Sequence, residues 1–316
     1  MTSTRYNWQW LRAGTLKLDG GSMFGVVPKS LWSKLAPADD LNRIPLAHNC
    51  LLLTRTDSSG RKQTIVIEVG SGDKFDPKSA QIYGLHGQDI AIALGCQGCK
   101  PGDVNHVIVS HLHFDHAGGL TRRVKDGETP DTTDPIPLKL TFPNAIVHAQ
   151  KREWDDAIAN NAVMTRTYLK ENLLPVREQL RFIDSPDVYP KGHVPAKDET
   201  PATRLLDRCT EVLPGIFAFK TPGHTWGQQA ILFMDERDQT VVFTPDVLPT
   251  VNHVGQPYNM AYDIEPYISS NSRRWFLDEA AKNNWLLVLD HEPGEPQQRV
   301  RSDGKGWYKL VSQDRE

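Results

Sequence analysis

Short apolar runs recur along the chain and predict a protein rich in buried strands. Each run contains β-branched or aromatic side chains and is bounded by turn-forming residues, as buried strands are. The runs cover residues 49–53, 64–69, 105–110, 145–148, 215–220, 230–234, 240–244 and 285–289. An additional short alternating strand is predicted at 16–19, before a glycine-rich loop.

Segments with helical periodicity lie between these strands and indicate an α/β arrangement. They cover residues 88–94, 151–161, 165–174 and 275–282, and Pro175 ends the third of them. Residues 121–143 and 184–203 are rich in Pro, Asp or Thr and predict irregular surface loops.

Potential metal ligands stand where several of the predicted strands end. The run at 105–110 is followed by His111, His113, Asp115 and His116, and later strands are followed by His224, Asp246 and His291. Histidine and aspartate are ligands that zinc and similar metals prefer. A solvated, histidine-rich loop is the alternative, but H-x-H-x-D-H behind a strand and ahead of two glycines favours a metal site.

Other polar residues near the strand ends have both a functional and a structural interpretation. Glu68 or Asp73 could orient a metal-bound histidine, or could cap the segment that follows. His148 stands alone, which favours a core or surface position over metal ligation. Cys96 and Cys99 form a C-x-x-C pair with no second pair, which favours a reduced turn over a redox or zinc site.

Composition excludes some classes of partner. The 316 residues include 36 basic and 39 acidic ones and no dense basic tract, so a nucleic acid is not expected as a partner. The first residues lack the pattern of a secretory signal, and no apolar run approaches the roughly 18 residues that cross a bilayer. We therefore expect a cytoplasmic protein that does not bind membranes.

The order of the ligand motifs resembles the metallo-β-lactamase superfamily. H-x-H-x-D-H begins at His111, P-G-H-T-x-G begins at Pro222, and Asp246 and His291 each follow an apolar strand. The resemblance implies an αββα sandwich formed by one domain over residues 1–316, with insertions at about 121–143 and 151–207.

The same resemblance implies a site for two divalent metal ions. His111, His113 and His224 would hold one ion, and Asp115, His116 and His291 the other. Asp246 would bridge them. Zinc is the expected metal, although such ligands also accept iron, manganese or cobalt.

Spacing of the motifs is similar to that of the quorum-quenching lactonase branch. This implies hydrolysis of a lactone or related carboxylic ester by a hydroxide that bridges the metals, with phosphotriester or phosphodiester hydrolysis as the alternative. Three departures are Pro249 where a tyrosine is usual, Gln228 where a second histidine is usual, and Glu68 in place of Asp. Pro249 puts acyl-homoserine lactones in doubt as the natural substrate.

Several residues are candidates for catalysis or substrate binding. Asp115 or Asp246 could carry a proton to the leaving group, and His253 and Tyr262 could donate hydrogen bonds where charge develops. An apolar pocket is predicted from Met23, Phe24, Leu248, Tyr258 and Met260. The alternative for His253 is an ordinary loop histidine. For Tyr262 and the five pocket residues it is a place in the core.

Two other classes of function compete with hydrolysis. A diiron redox protein would call for more carboxylate ligands and an added flavin domain, and a sensor module would have lost ligands that are all present here. We expect a small-molecule substrate and a homodimer.

Overall fold

The computed structural model describes residues 4–86, 89–161, 166–197 and 199–313. The chain divides into two compact units, each assembled from separate stretches of sequence. The first unit comprises residues 6–16 and 47–183, and the second comprises 1–5, 17–46 and 184–316. The single domain expected over residues 1–316 stays a prediction.

Strands outnumber helices in the described chain. The strands are β1 (Asn7–Asp19), β2 (Arg43–Thr56), β3 (Lys62–Ile67), β4 (His106–Ile108), β5 (Thr121–Arg123), β6 (Leu138–Leu140), β7 (Ile146–Gln150), β8 (Leu180–Ile183), β9 (Thr210–Leu213), β10 (Ile216–Lys220), β11 (Gln229–Met234), β12 (Thr240–Thr244), β13 (Leu286–Leu289), β14 (Gln297–Ser302) and β15 (Tyr308–Ser312).

The helices are short except for the last. They are α1 (Gly20–Phe24), α2 (Lys29–Trp32), α3 (Pro77–Ile82), α4 (Ile90–Cys96), α5 (Phe114–Ala117), α6 (Lys151–Ala159), α7 (Lys170–Leu173), α8 (Leu205–Arg208) and α9 (Pro266–Lys282). Single 3-10 turns occupy Pro101–Asp103, Gly118–Leu120, Leu174–Gln179 and Val251–His253. None of the helices in the described ranges is long and apolar enough to cross a membrane.

The first unit is built on a six-stranded sheet in the order β1-β2-β3-β4-β7-β8. From β3 to β8 the neighbouring strands are parallel, so their carboxyl ends lie at the same edge. Apolar residues of α4 and α6, including Leu94 and Trp154, pack with strand residues such as Val66 and Val107 in one core. This packing explains why the central strands are continuous apolar runs.

The second unit contains a seven-stranded sheet in the order β15-β14-β13-β12-β11-β10-β9. Neighbouring strands of this sheet are antiparallel, except that β12 and β13 are parallel. Two parallel strands need a crossover connection. Helix α9 lies in that connection and buries Trp275 and Phe276 in a core with Phe219 and Leu287. The ends of β12 and β13 are thus brought side by side.

Most predicted elements are present, with shifted ends. The helix predicted at 88–94 is α4, which begins at Ile90, and Gln88 lies outside the described residues. The helix predicted at 165–174 is reduced to α7, and Thr165 also lies outside the described residues. Residues 121–143, predicted as irregular, contain the two-stranded ladder β5–β6.

Candidate metal centre

The H-x-H-x-D-H motif forms a buried turn at the carboxyl end of β4. His111, His113, Asp115 and His116 are 0%, 7%, 8% and 1% exposed. The His111 ring centroid lies 4.5 Å from that of His113 and 3.9 Å from that of His116. Because the motif starts where the strand ends and continues into α5, it gathers its imidazoles within the first unit.

Glu68 fixes the orientation of the His116 ring through a hydrogen bond. It follows β3, is 2% exposed, and lies 3.0 Å from the Nδ1 atom of His116 through its Oε2 atom. Its Oε1 atom accepts the backbone N–H of Ser110. A carboxylate at Nδ1 fixes the ring and leaves Nε2 as the atom able to bind a metal. Glu68 thus makes the predicted contact with a candidate ligand, whereas Asp73 accepts the backbone N–H of Arg123.

A second buried carboxylate supports the middle of the motif, and no sequence motif indicates it. Glu153 of α6 is fully buried, and its Oε1 atom accepts the Leu112 N–H and the Tyr168 hydroxyl, both at 3.0 Å. The Tyr168 ring centroid lies 5.1 Å from that of His113. Burial, together with Glu153, raises the pKa of Tyr168 well above its usual range, so its hydroxyl stays a donor.

The two glycines after the motif permit close backbone packing. A Cβ atom on Gly118 would overlap the Ser71 carbonyl oxygen, and one on Gly119 would overlap that of Val69. Lys74 adds a polar contact, because its Nζ atom donates to the carbonyl oxygens of Gly118 and Thr121. The motif is therefore fixed against the loop that follows β3.

In the second unit, Asp246 lies between two imidazoles. Its Oδ2 atom is 3.1 Å from the Nε2 atom of His224, and its Oδ1 atom is 3.5 Å from the Nε2 atom of His291. All three residues are at most 5% exposed. The carboxylate therefore turns one oxygen to each histidine.

Asp263 orients His224 as Glu68 orients His116. Its Oδ1 atom lies 2.9 Å from the His224 Nδ1 atom, which turns Nε2 toward Asp246. Burial by itself would lower the pKa of His224, but Asp246 and Asp263 outweigh burial and raise it to about 10. No sequence motif marks Asp263, although it directly follows the predicted residue Tyr262.

Candidate ligand atoms are close to one another within each unit. In the first unit, a ligand atom of His111 and one of His113 lie within 4.8 Å of each other. In the second unit, ligand atoms of Asp246, Asp290 and His291 lie within 4.8 Å of one another. Asp290 was not predicted, although it immediately precedes a predicted ligand. In the first unit Asp115 lies 3.9 Å from the Nε2 atom of His116 through its Oδ1 atom.

These residues fit the divalent ions that the sequence predicts. The donors are imidazoles and carboxylates, nearly all hidden from solvent, and burying such carboxylates is costly unless a cation or hydrogen-bond donors compensate. Two imidazoles have their Nδ1 atoms held by carboxylates, as metal-binding histidines commonly do. This is the ligand chemistry of zinc.

His253 occupies a different environment from the predicted one. It is fully buried, its Nδ1 atom lies 2.7 Å from the Thr250 hydroxyl, and its Nε2 atom lies 2.9 Å from the Met23 carbonyl oxygen. Its ring stacks on Phe24 at 4.7 Å, and burial lowers its pKa to about 4. Both nitrogens are used inside the protein, so we assign His253 a packing role instead of leaving-group assistance.

Most of the residues predicted to form an apolar pocket lie in the core. Met23, Phe24 and Leu248 are at most 1% exposed and Met260 is 4% exposed, so they do not form an open wall. Tyr258 is only partly buried and lines a cavity of the second unit.

Tyr262 is partly exposed and directly precedes Asp263, the partner of His224. Its predicted role stays a prediction.

Gln228, His148 and the C-x-x-C pair, which the sequence left with more than one interpretation or marked as a departure, lie outside the candidate ligand set. Gln228 is fully buried and donates to the Thr221 carbonyl oxygen at 3.0 Å, which closes the turn that carries His224. His148 lies 3.1 Å from the His106 Nδ1 atom, in the sheet of the first unit. In the described chain the C-x-x-C pair forms no disulfide.

Comparison with known proteins identifies the family. A family model described as the metallo-beta-lactamase superfamily matches residues 43–291. An N-acyl homoserine lactonase from a Bacillus species is 28% identical over 196 residues, which are 62% of this chain and 58% of the relative. The lactonase AttM from Rhizobium radiobacter is 24% identical over 204 residues, 62% of this chain and 61% of that protein. The matches therefore span less than two thirds of these relatives.

Solved structures extend the likeness to nearly the whole chain. A probable metal-dependent hydrolase from Staphylococcus aureus has a TM-score of 0.76 at 25% identity and covers 98% of this chain and 99% of its own. AidC, described as a dizinc quorum-quenching lactonase, has a TM-score of 0.71 at 18% identity, with 98% and 94% covered. The predicted fold, with strands and helices in a metallo-β-lactamase-like sandwich, is thus confirmed. The chain belongs to the metallo-β-lactamase superfamily.

Proposed function

We propose that this protein is a metal-dependent hydrolase that opens lactones or related carboxylic esters with the help of two divalent ions, zinc first among them. The observation that carries the proposal is the Asp246 carboxylate, whose two oxygens face His224 and His291 separately. A carboxylate placed in this way between two histidines could bridge two ions. The lactonases among the relatives support the choice of substrate class.

The proposed ligand set has seven residues. His111, His113 and His224 would hold one ion, Asp115, His116 and His291 the other, and Asp246 both. When bound, two such ions make hydroxide available near neutral pH and polarise a carbonyl oxygen.

The protein's own groups then position and move protons. Glu68 and Asp263 keep the Nε2 atoms of His116 and His224 directed at the centre. Asp115 or Asp246 receives the proton of the attacking water and passes it to the leaving alkoxide. Tyr262 donates a hydrogen bond to the oxygen on which negative charge develops. We also propose a small-molecule substrate, and a homodimer as the assembled form.

Hydrolysis by the zinc-reconstituted protein tests the proposal. The substrates are a panel of N-acyl homoserine lactones, unrelated γ-lactones, aryl carboxylic esters and aryl phosphotriesters, and bound zinc is measured in every sample. We expect turnover of lactones or esters, and a loss of about a thousandfold or more in Asp246→Ala together with reduced zinc content. Asp40→Ala, which changes an exposed aspartate, is the matched control.

Two results would contradict the proposal in different ways. Equal activity and zinc content in wild type and Asp246→Ala would refute the site. Turnover of phosphotriesters alone, lost in Asp246→Ala, would keep the site and replace the substrate class with the alternative.

A further inference from the structure

The cavity that Tyr258 lines lies in the second unit, and none of its described lining residues is a candidate metal ligand. Its volume is about 630 Å³, which is in the range of small-molecule sites. It is bounded by the loop at 251–258, by α9 and by the turn between β14 and β15.

The lining is strongly cationic. Lys197, Arg273, Arg274 and Lys305 contribute to it, and the described lining residues include no Asp or Glu. Four positive charges around one concave surface create a field that attracts anions and is focused by the low-dielectric walls. The protein as a whole carries a net charge of −3, so this positive surface is a local feature.

Arg273 provides a cation at the base of this lining. It is 2% exposed, and its Nη2 atom donates to the Gln256 carbonyl oxygen at 3.0 Å and to the Asn259 Oδ1 atom at 2.5 Å. Both acceptors are neutral, so these bonds orient the guanidinium, and the only carboxylate that acts on its charge in the described chain is Asp263. Burial lowers the pKa of Arg273 to about 10, which leaves it protonated at neutral pH.

Aromatic side chains form the other part of the lining. Trp307 is 73% exposed, which is unusual for so large an apolar side chain. Its turn is ordered by Asp303, whose Oδ1 atom accepts the backbone N–H groups of Lys305 at 2.7 Å and Trp307 at 3.1 Å. Tyr258, on the facing loop, also lines the cavity. Planar ligands bind well to such rings.

We propose that this cavity binds a small organic anion with a flat, apolar body. The acid group pairs with the cationic side chains, and the body packs against Tyr258 and Trp307. None of the described lining residues is a proposed metal ligand, so the proposal does not depend on the hydrolytic centre.

Binding of naphthalene-2-sulfonate tests the proposal by isothermal titration calorimetry on the full chain. Neutral 2-naphthol has the same ring system without the charge, and inorganic phosphate has charge without the ring. We expect one sulfonate per chain, bound about tenfold or more tightly than 2-naphthol or phosphate, and weakened by 0.5 M KCl.

Variants of the turn between β14 and β15 locate the binding site. Lys305→Glu and Trp307→Ala should each weaken sulfonate binding about tenfold or more. Lys309→Glu is the matched control, because it makes the same charge change on an exposed residue of the same hairpin that does not line the cavity. It should change binding less than about twofold.

Four results would overturn the proposal: no binding of the sulfonate, equal binding of 2-naphthol, equal binding of phosphate, or equal weakening by Lys305→Glu and Lys309→Glu. Circular dichroism confirms that each variant is folded, and Lys305 and Trp307 are both exposed, so neither substitution disturbs the core.

Discussion

Paired carboxylates and imidazoles recur in the candidate centre. Glu68 with His116, and Asp263 with His224, place a buried carboxylate at an Nδ1 atom and leave Nε2 for a metal. The two pairs lie in different units and come from unrelated stretches of sequence. The same physical requirement, a fixed ring orientation, has thus been met twice.

Replacing Asp263 with Asn should weaken metal binding by about 10- to 100-fold, because the amide is a poorer partner for the His224 ring. Competition with a chromophoric zinc chelator measures the change. Asp40→Asn is the control, since that aspartate is exposed. Unchanged zinc affinity in Asp263→Asn would show that the contact does not act on a metal ligand.

Replacing Tyr168 with Phe should lower the free energy of unfolding by about 1.5–3 kcal/mol, because the buried Glu153 carboxylate loses one donor. Urea unfolding measures it. Tyr267→Phe also removes one hydroxyl hydrogen bond, but on a tyrosine that is 48% exposed and bonds a neutral carbonyl, so a smaller loss is expected there. Equal losses in the two variants would contradict a special role for Glu153.

The candidate ligands could be proposed from the sequence, whereas the residues that support them could not. His111 to His116 are consecutive, and His224, Asp246 and His291 follow recognisable strands. Glu153 and Tyr168 lie about 40 and 55 residues beyond Leu112 and His113, and only the folded chain brings them together. The buried contacts of His253 could not be predicted for the same reason, since its partner Met23 is 230 residues away.

At the scale of elements, the loop after β3 and the histidine motif form one tightly packed assembly. Gly118→Ala should destabilise the protein by about 3 kcal/mol or more, because the new methyl group meets rigid backbone at Ser71. Thermal unfolding measures the change. Gly95→Ala in α4 is the control: nothing lies near its added methyl group, and alanine should stabilise that helix slightly. A Gly118→Ala protein as stable as wild type would contradict this close packing.

Central strands were predicted and edge strands were missed. β3, β4 and β13 are continuous apolar runs because both of their faces are covered. β15, with the sequence YKLVS, is an edge strand and carries charge as exposed edges commonly do. Its neighbour β14, with QQRVRS, is paired on both sides but is also charged, which hides the strand character of both. The helix α9 was predicted only in its second half, because its first turns contain serine and asparagine in place of apolar residues.

At the scale of the whole molecule, a buried histidine makes stability depend on pH. Burial, with a smaller effect of His106 and Arg181, lowers the pKa of His148 to about 4. Unfolding returns it to about 6.5, so between pH 6.5 and 4 the unfolded chain binds more protons. The contribution of His148 to the free energy of unfolding is therefore fully present above pH 6.5 and is lost as the pH falls toward 4.

The wild type should lose about 2 kcal/mol more unfolding free energy between pH 7.5 and pH 5 than His148→Asn does. Urea unfolding at the two pH values measures this difference. His193→Asn is the control, because it makes the same replacement at an exposed histidine of the second unit. Identical pH dependence in wild type and His148→Asn would contradict the assignment.

The ammonium group of Lys74 gives the histidine motif a chemical reporter. Burial lowers its pKa to about 8, so at mildly alkaline pH much of it is a free amine, more nucleophilic than an ordinary lysine. Its hydrogen bonds to the Gly118 and Thr121 carbonyl oxygens nevertheless occupy that nitrogen. Acylating reagents therefore modify Lys74 when the loop opens. Mass spectrometry of that side chain then reports how often the loop around the motif opens.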